Sequence, residues 1–100
     1  MATLRYSERS HADLAATWDY IAIDSPRHAS LVLERIHDKI EALRIQPLMG
    51  HRRNDIRPGT RCVNCDGYLI LYRYSDGIVR IARVVHHSRH LPYLSLDENP

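Results

Sequence analysis

The chain has 100 residues, of which 44% are hydrophobic and 26% are charged, as in an ordinary soluble globular protein. No apolar run approaches the roughly 18 residues of a membrane span, and the N-terminal MATLRYSERS lacks the apolar segment of a secretion signal. We therefore expect neither a membrane-spanning nor a secreted protein, but one cytoplasmic domain over residues 1–100 with no membrane partner.

Charge is distributed unevenly along the chain. The formal net charge is +2, with −1 in residues 1–50 and +3 in residues 51–100, and Lys39 is the only lysine among fourteen cationic residues. Arginine pairs with carboxylates and phosphates through two parallel hydrogen bonds, so the bias suits contact with an acidic protein or with nucleic acid. A high genomic GC content would produce the same bias without any function.

A short strand and a first helix are predicted at the N-terminus. Residues Thr3 to Tyr6 have the length of an edge strand. Ser7 is a favourable N-cap, and apolar residues recur at helical spacing from Glu8 to about Ile23, with Trp18 among them. We expect this apolar stripe, Trp18 included, to be buried in the core.

A second helix is predicted directly after the first. Asp24-Ser25-Pro26 combines a stop signal with an N-cap at Ser25 and a proline at the first helical position. The apolar stripe continues to about Ile45, after which Pro47 and Gly50 end the helix. Helices joined so closely form an antiparallel hairpin, and neither can bury its stripe alone, so both are expected to pack on a sheet.

The second half of the chain has the pattern of three antiparallel strands. These are Arg61 to Asn64, a run beginning at Tyr68, and Ile78 to Val85, separated by Asp66-Gly67 and Asp76-Gly77. Asp-Gly supplies the positive φ angles of a type I′ hairpin turn, and the last strand is apolar on both parities, which places it inside the sheet. The sequence therefore predicts an α+β fold, β-α-α-β-β-β, in which a small antiparallel β-sheet packs against an N-terminal two-helix hairpin. Residues 49–60 are expected to form a polar connection.

Several short motifs, in order along nearly the whole chain, resemble the ParE branch of the RelE/ParE toxin superfamily. They are Tyr6-Ser7, Asp13-Leu14, Trp18-Asp19-Tyr20-Ile21, Pro47-x-x-Gly50, Pro58-Gly59-x-Arg61, Tyr68-Leu69-Ile70-x-Tyr72-Arg73, Ile81-x-Arg83-Val84-x-His86 and Arg89-x-Leu91-Pro92. Each motif is short, and the ordered set is more specific than its parts. The chain departs from the pattern at residues 86–92, where it reads HHSRHLP and many ParE-like chains read His-Gly-x-Arg-Asp-Leu-Pro.

The resemblance implies a toxin of a type II toxin–antitoxin system, with the RelE/ParE fold and a role in growth inhibition and plasmid stabilisation. It implies a ParD-like antitoxin, of the ribbon-helix-helix type, that binds the apolar groove between helices and sheet in a hetero-oligomer. The implied target is DNA gyrase, poisoned without catalysis and without a cofactor. The RelE branch implies the alternative of a ribosome-dependent, metal-independent mRNA endoribonuclease. The altered histidine-rich end suggests a third hypothesis, a non-toxic binding module.

Arg61, Arg83, His86 and Arg89 are the candidates for target contact, because imidazole and guanidinium groups gather where the last strand ends. In a metal-free ribonuclease His86 or His87 would act as the base, and Arg83 or Arg61 would hold the phosphate. Successive strand residues face opposite ways, which opposes such a cluster, and solvated histidines are the simpler interpretation. We therefore assign no catalytic residue.

Arg52, Arg53, Tyr68 and Tyr72 are the candidates for antitoxin contact. The two arginines belong to a basic connection that is either solvated or paired with carboxylates or phosphates of a partner. The two tyrosines share a parity on one strand. They either pack against their neighbours, with core favoured for Tyr72, or grip an antitoxin segment on an open sheet face.

Cys62 and Cys65 have C-x-x-C spacing, which is half of a structural zinc site. On a strand, however, residues i and i+3 face opposite ways, and the chain has no second pair of cysteines. Completion by His86 or His87 is conceivable. We favour two reduced structural thiols and expect no metal site.

Overall fold

The computed structural model describes residues 1–88, and these form two helices and five strands. The elements are β1 (Thr3–Tyr6), α1 (Glu8–Ala22), α2 (Pro26–Ala42), β2 (His51–Arg52), β3 (Arg61–Cys65), β4 (Tyr68–Ser75) and β5 (Ile78–His86). The predicted α+β order is confirmed, with helix and strand ends within a few residues of the prediction. The Arg89-x-Leu91-Pro92 motif lies outside the described residues.

Both helices begin at the N-caps that the sequence predicts. The Ser7 hydroxyl accepts a hydrogen bond from the backbone N–H of Ser10, and the Ser25 hydroxyl accepts one from that of His28. Each hydroxyl satisfies a backbone donor that a helix leaves unpaired at its start. Pro26 occupies the first turn of α2, where its missing N–H costs no hydrogen bond.

The five strands form one sheet in the order β1-β5-β4-β3-β2. The predicted antiparallel pairing is found from β2 to β5, but β1 pairs with β5 in parallel, so the sheet as a whole is mixed. Strand β2, which pairs with β3 inside the connection predicted to be irregular, was missed. The two features are linked, because an additional strand adds one more reversal of the chain and so changes the relative direction of β1 and β5.

Two type I′ turns fix the register of the β3–β4 and β4–β5 hairpins. Asp66 and Gly67 have φ angles of 52° and 85°, and Asp76 and Gly77 have φ angles of 54° and 74°. Positive φ at both central positions matches the twist of the paired strands, as the Asp-Gly dipeptides predict.

A bulge interrupts the pairing of β4 with β5. Leu71 is paired with Arg83 and Tyr72 with Ile81, which leaves Ala82 as an extra residue in β5. A bulge of this kind reverses the alternation of side chains along the strand. Val79 and Ile81 before it, and Val84 after it, therefore all join the core on the helical side of the sheet.

The main core lies between the two helices and one face of the sheet. Its fully buried members include Ile36, Ile40 and Leu43 around α2 and Ile70 and Tyr72 from β4. A smaller cluster on the opposite face joins Cys62, Leu71 and Val85, and residues 53–60 cover part of it through Ile56.

Trp18 is not a core residue, contrary to the prediction from helical spacing. Its side chain is 37% exposed, and its indole N–H lies 3.5 Å from the Ser30 hydroxyl on α2. Within α1 the fully buried residues are Ser10 and Thr17, and Leu14 and Ile21 are partly buried against the main core, whereas Trp18, the largest side chain of the helix, remains at the surface. No helix in the described part of the chain is long and apolar enough to cross a bilayer.

Candidate functional site

The bulge in β5 is the point at which α1 is attached to the sheet. The Ser7 hydroxyl donates a hydrogen bond to the Ala82 carbonyl at 2.8 Å, and the Ser7 N–H donates to the Ile81 carbonyl at 3.0 Å. On the next turns of α1, the Asp13 carboxylate accepts a hydrogen bond from the Val84 backbone N–H at 3.0 Å. Ser7, the N-cap of α1, and Asp13 within α1 thus satisfy backbone groups of β5 beyond the end of β1.

Arg83 completes this attachment. Its Nε lies 2.7 Å from Asp13 Oδ2 and its Nη2 lies 3.0 Å from Asp13 Oδ1, a two-point pairing between β5 and α1. The side chains of Arg83 and Asp13 are only 8% and 14% exposed. The expectation that Arg83 offers its guanidinium to a target is therefore corrected. A buried charge that already has a carboxylate partner supports the fold instead.

His86 stands at the exposed end of β5, where the chain leaves the sheet. Its ring packs edge-on against Tyr68 at 5.4 Å and lies 4.3 Å from the ring of His87. The backbone N–H of Ser88 donates to His86 Nδ1 at 3.3 Å, and the Ser88 hydroxyl is 2.9 Å from the same nitrogen. When the neutral ring accepts at Nδ1, its proton is on Nε2, which leaves that N–H as a donor for a partner.

A cavity of about 430 Å³ opens beside His86, between the last turns of α1 and the end of β5. Its lining includes three residues with hydroxyl groups, Thr17, Tyr20 and Tyr68, together with Asp13. Burial, together with the neighbouring Tyr20, raises the pKa of Tyr68, so its phenol stays protonated at neutral pH. Of the candidates for target contact, His86 therefore has an accessible side chain beside a cavity. Arg89 lies outside the described residues.

Arg61 and Tyr72 hold the segment that joins α2 to β2. The Tyr72 hydroxyl donates to the Pro47 carbonyl at 2.8 Å and accepts from the Gly50 N–H at 2.9 Å. Arg61 Nη1 donates to the carbonyls of Gly50 at 2.9 Å and of Leu48 at 3.1 Å. Tyr72 has no exposed surface, so it is corrected from a candidate for antitoxin contact to a core residue, the alternative that its parity favoured.

The two arginines predicted to contact the antitoxin differ in their surroundings. Arg52 is exposed on β2 at the edge of the sheet. Arg53 forms a two-point pair with Asp55, at 2.9 and 2.8 Å, within the same connection. Hydrogen bonding to Arg53 lowers the pKa of Asp55, and that pairing already occupies the fork that Arg53 would offer to a partner.

A second cavity, of about 440 Å³, lies between α1 and α2 and reaches the edge of the sheet at Tyr6. Leu14, Leu33, Ile36 and Ile40 provide an apolar lining, and the side chain of Trp18 stands at its rim. Sequence reasoning expected a groove between helices and sheet but assigned Trp18 to the core. The sequence did contain a sign that Trp18 could lie at the surface. Helix α1 carries fewer large apolar residues than a fully buried helix face requires.

The cysteines lie on opposite faces of the sheet, as their spacing on a strand predicts. Cys62 packs in the smaller cluster with Leu71 and Val85, whereas Cys65 packs against the main core. Burial raises the pKa of both thiols, which keeps them protonated and weakly nucleophilic at neutral pH. The two sulfurs are therefore not arranged to bind one metal ion together.

Comparisons with known proteins agree with this architecture. The family model described as ParE toxin of type II toxin–antitoxin system, parDE, matches residues 4–91. A chain of the chromosomal ParDE system from P. aeruginosa has a TM-score of 0.74 at 22% identity, and the match covers 86% of this chain and 96% of that one. A chain of the toxin–antitoxin complex RelBE2 from Mycobacterium tuberculosis has a TM-score of 0.54 at 25% identity, covering 85% and 96%.

A comparison with curated proteins found no match. The family model nevertheless extends over more than four fifths of the sequence, and the solved ParDE structure shares the arrangement of helices and strands. The chain therefore belongs to the ParE toxins of type II toxin–antitoxin systems.

Proposed function

We propose that this toxin inhibits DNA gyrase and that a ParD-like antitoxin of the ribbon-helix-helix type neutralises it in the cytoplasm within a hetero-oligomer. The proposal rests chiefly on the match of the ParE family model to residues 4–91. It treats residues 1–100 as one domain, needs no cofactor and assigns no catalytic residue.

The antitoxin is proposed to bind the groove between α1 and α2. The groove has an aliphatic floor and an exposed Trp18 at its rim, and a large aromatic ring at the edge of an apolar pocket is typical of residues that dominate binding energy. The carboxylate of Glu34 and the imidazole of His37 border the apolar lining. An amphipathic segment with aliphatic anchors and a basic flank fits this pattern. Two candidates for antitoxin contact remain. Arg52 is exposed on β2 at the edge of the sheet, and Tyr68 is half-buried at the start of β4.

The target is proposed to contact the end of β5 through His86. Arg89, three residues further along the chain and outside the described residues, is the second proposed contact. His86 is exposed and offers a ring N–H beside a cavity, whereas Arg83 and Arg61 are engaged in contacts within the protein. In this proposal Arg83 and Arg61 position the β5 end and the α2–β2 segment, and do not touch the target.

Induced expression in a bacterial host tests the proposed target. We expect growth arrest with DNA cleavage and SOS induction, intact transcripts, and relief by co-expressed antitoxin. His86→Ala should reduce the arrest at equal soluble expression, whereas the control His28→Ala, which removes an exposed imidazole from α2, should not.

Two other outcomes of the same experiment correspond to the competing functions. Rapid transcript cleavage without DNA damage would identify a messenger-RNA endoribonuclease, an activity for which the fold likeness to RelBE2 is the supporting observation. Absence of arrest at confirmed soluble expression would leave a non-toxic binding module.

A further inference from the structure

Three arginines form a row across the face of the sheet that the helices do not cover. Arg5 in β1 is paired directly with Arg80 in β5, and Arg80 is paired directly with Arg73 in β4. The residues next to them in sequence, including Tyr6, Ile81 and Tyr72, belong to or pack on the main core. Alternation along the strands therefore places all three arginines on the opposite face.

The row places positive charges at directly paired positions, where they do not stabilise the sheet. Like charges at directly paired positions destabilise a sheet, since adjacent strands are only about 4.8 Å apart. Arg5 is exposed and Arg80 is half-buried, and neither has an ion pair with another side chain in residues 1–88. The Arg73 guanidinium extends to the connection before β3, where a Cβ on Gly59 would lie 3.0 Å from Arg73 Nη2.

We propose that this arginine row binds the phosphodiester backbone of duplex DNA. Guanidinium groups bind phosphate oxygens through paired hydrogen bonds, and neighbouring strands about 4.8 Å apart bring several such groups together on one surface. The row covers three strands, so the contact surface is a band across the sheet.

The composition of this face favours duplex DNA over a single-stranded nucleic acid. Unpaired bases are held by stacking on aromatic rings, as on the sheets of single-strand RNA-binding domains. The tyrosines of β4, at positions 68, 72 and 74, share the parity of the helical face, so none of them stands beside the row. A surface that offers arginines without aromatic rings can bind the phosphates of a duplex, whose bases are already stacked and paired.

The position of the row disfavours an acidic peptide. An extended peptide gains much of its affinity from backbone hydrogen bonds at an open sheet edge. Arg80 and Arg73 are on the interior strands β5 and β4, whose backbone groups are paired on both sides. The row also lies on the opposite face from the groove between α1 and α2. It therefore adds a DNA contact to the toxin whether or not gyrase is the target.

Fluorescence anisotropy with a labelled 20-base-pair duplex at 50 mM salt tests the proposal with the purified full chain. The variant Arg5→Gln/Arg80→Gln removes two charges from the row, and Arg9→Gln/Arg27→Gln removes two exposed charges from the helices as a matched control. We expect at least ten-fold weaker binding for the first variant and less than three-fold for the second. The slope of log affinity against log salt should fall by roughly 2 for the row variant only.

Several results would overturn the proposal. They are no duplex binding by the wild-type chain, equal weakening by both double variants, or binding of a single-stranded RNA or a poly-glutamate peptide in place of the duplex. The thermal midpoint of the row variant should be unchanged or higher, because the loss of two arginine charges removes like-charge repulsion. Should the double variant misfold, Arg5→Gln alone, at an exposed site on the edge strand, should still weaken duplex binding at least three-fold.

Discussion

Tyr72 illustrates how a residue with a functional appearance can have a structural task. It belongs to an aromatic series on β4, and its ring is completely buried with the hydroxyl held between the Pro47 carbonyl and the Gly50 N–H. A Cβ at Gly50 would lie 2.6 Å from the Tyr72 hydroxyl oxygen, so only glycine fits there. The Pro47-x-x-Gly50 and Tyr72 motifs, far apart in sequence, therefore describe one contact.

We predict that Tyr72→Phe lowers the free energy of unfolding by about 1–3 kcal/mol, because the change leaves a buried N–H and a carbonyl without their partner. Urea unfolding measures the effect, with Tyr74→Phe as the control, since Tyr74 is 36% exposed. Equal stability of the two variants would contradict the structural role of the Tyr72 hydroxyl.

The Asp13–Arg83 pair predicts a larger effect, at two positions that belong to sequence motifs but had no predicted contact with each other. Asp13→Ala leaves the Arg83 guanidinium and the Val84 N–H without the carboxylate, and such a loss typically costs about 3–5 kcal/mol. Asp19→Ala, at an exposed site on the same helix, is the control. Comparable stability of both variants in urea would show that the pair does not attach α1 to the sheet.

At the scale of elements, features that depend on neighbouring residues were predictable from the sequence. The N-caps Ser7 and Ser25 and both Asp-Gly turns act within a few residues, and all are found as expected. The bulge at Ala82 was not predictable, because it is fixed by hydrogen bonds from Ser7 to Ala82 and from Val84 to Asp13, between residues 75 and 71 positions apart in the sequence. The alternation of side chains along β5 could not show on which face of the sheet Arg83 lies, because the extra residue at the bulge shifts the count.

The groove between α1 and α2 leads to a prediction on antitoxin binding. Trp18→Ala should weaken binding of the antitoxin by roughly ten-fold or more, because it removes the aromatic side chain at the rim. The free energy of unfolding should also fall, since the side chain is only 37% exposed, so binding is compared at a temperature at which both variants are folded.

Isothermal titration with purified antitoxin measures the affinity of the Trp18 variant. Ile23→Ala is the control, because Ile23 is 80% exposed and lies at the end of α1 outside the groove lining. Undiminished affinity of Trp18→Ala would place the antitoxin elsewhere on the toxin.

At the scale of the whole molecule, the candidate surfaces are separate. The groove lies on the helical side, the arginine row lies on the other face of the sheet, and His86 stands where β5 ends. The family could be recognised from the sequence because its motifs mark structural contacts such as Tyr72 with Gly50. Surface partners could not be assigned equally well, since an arginine in the sequence looks the same whether it binds Asp13 or a target.

The most direct test of gyrase inhibition by this toxin is a cleavage assay with purified gyrase, plasmid DNA and ATP. We predict that the toxin converts supercoiled plasmid to linear, gyrase-linked DNA, that equimolar antitoxin prevents this, and that His86→Ala lowers the yield several-fold while His28→Ala does not. Full gyrase activity without any cleaved plasmid, at toxin concentrations that arrest growth in cells, would contradict gyrase inhibition as the function of this toxin.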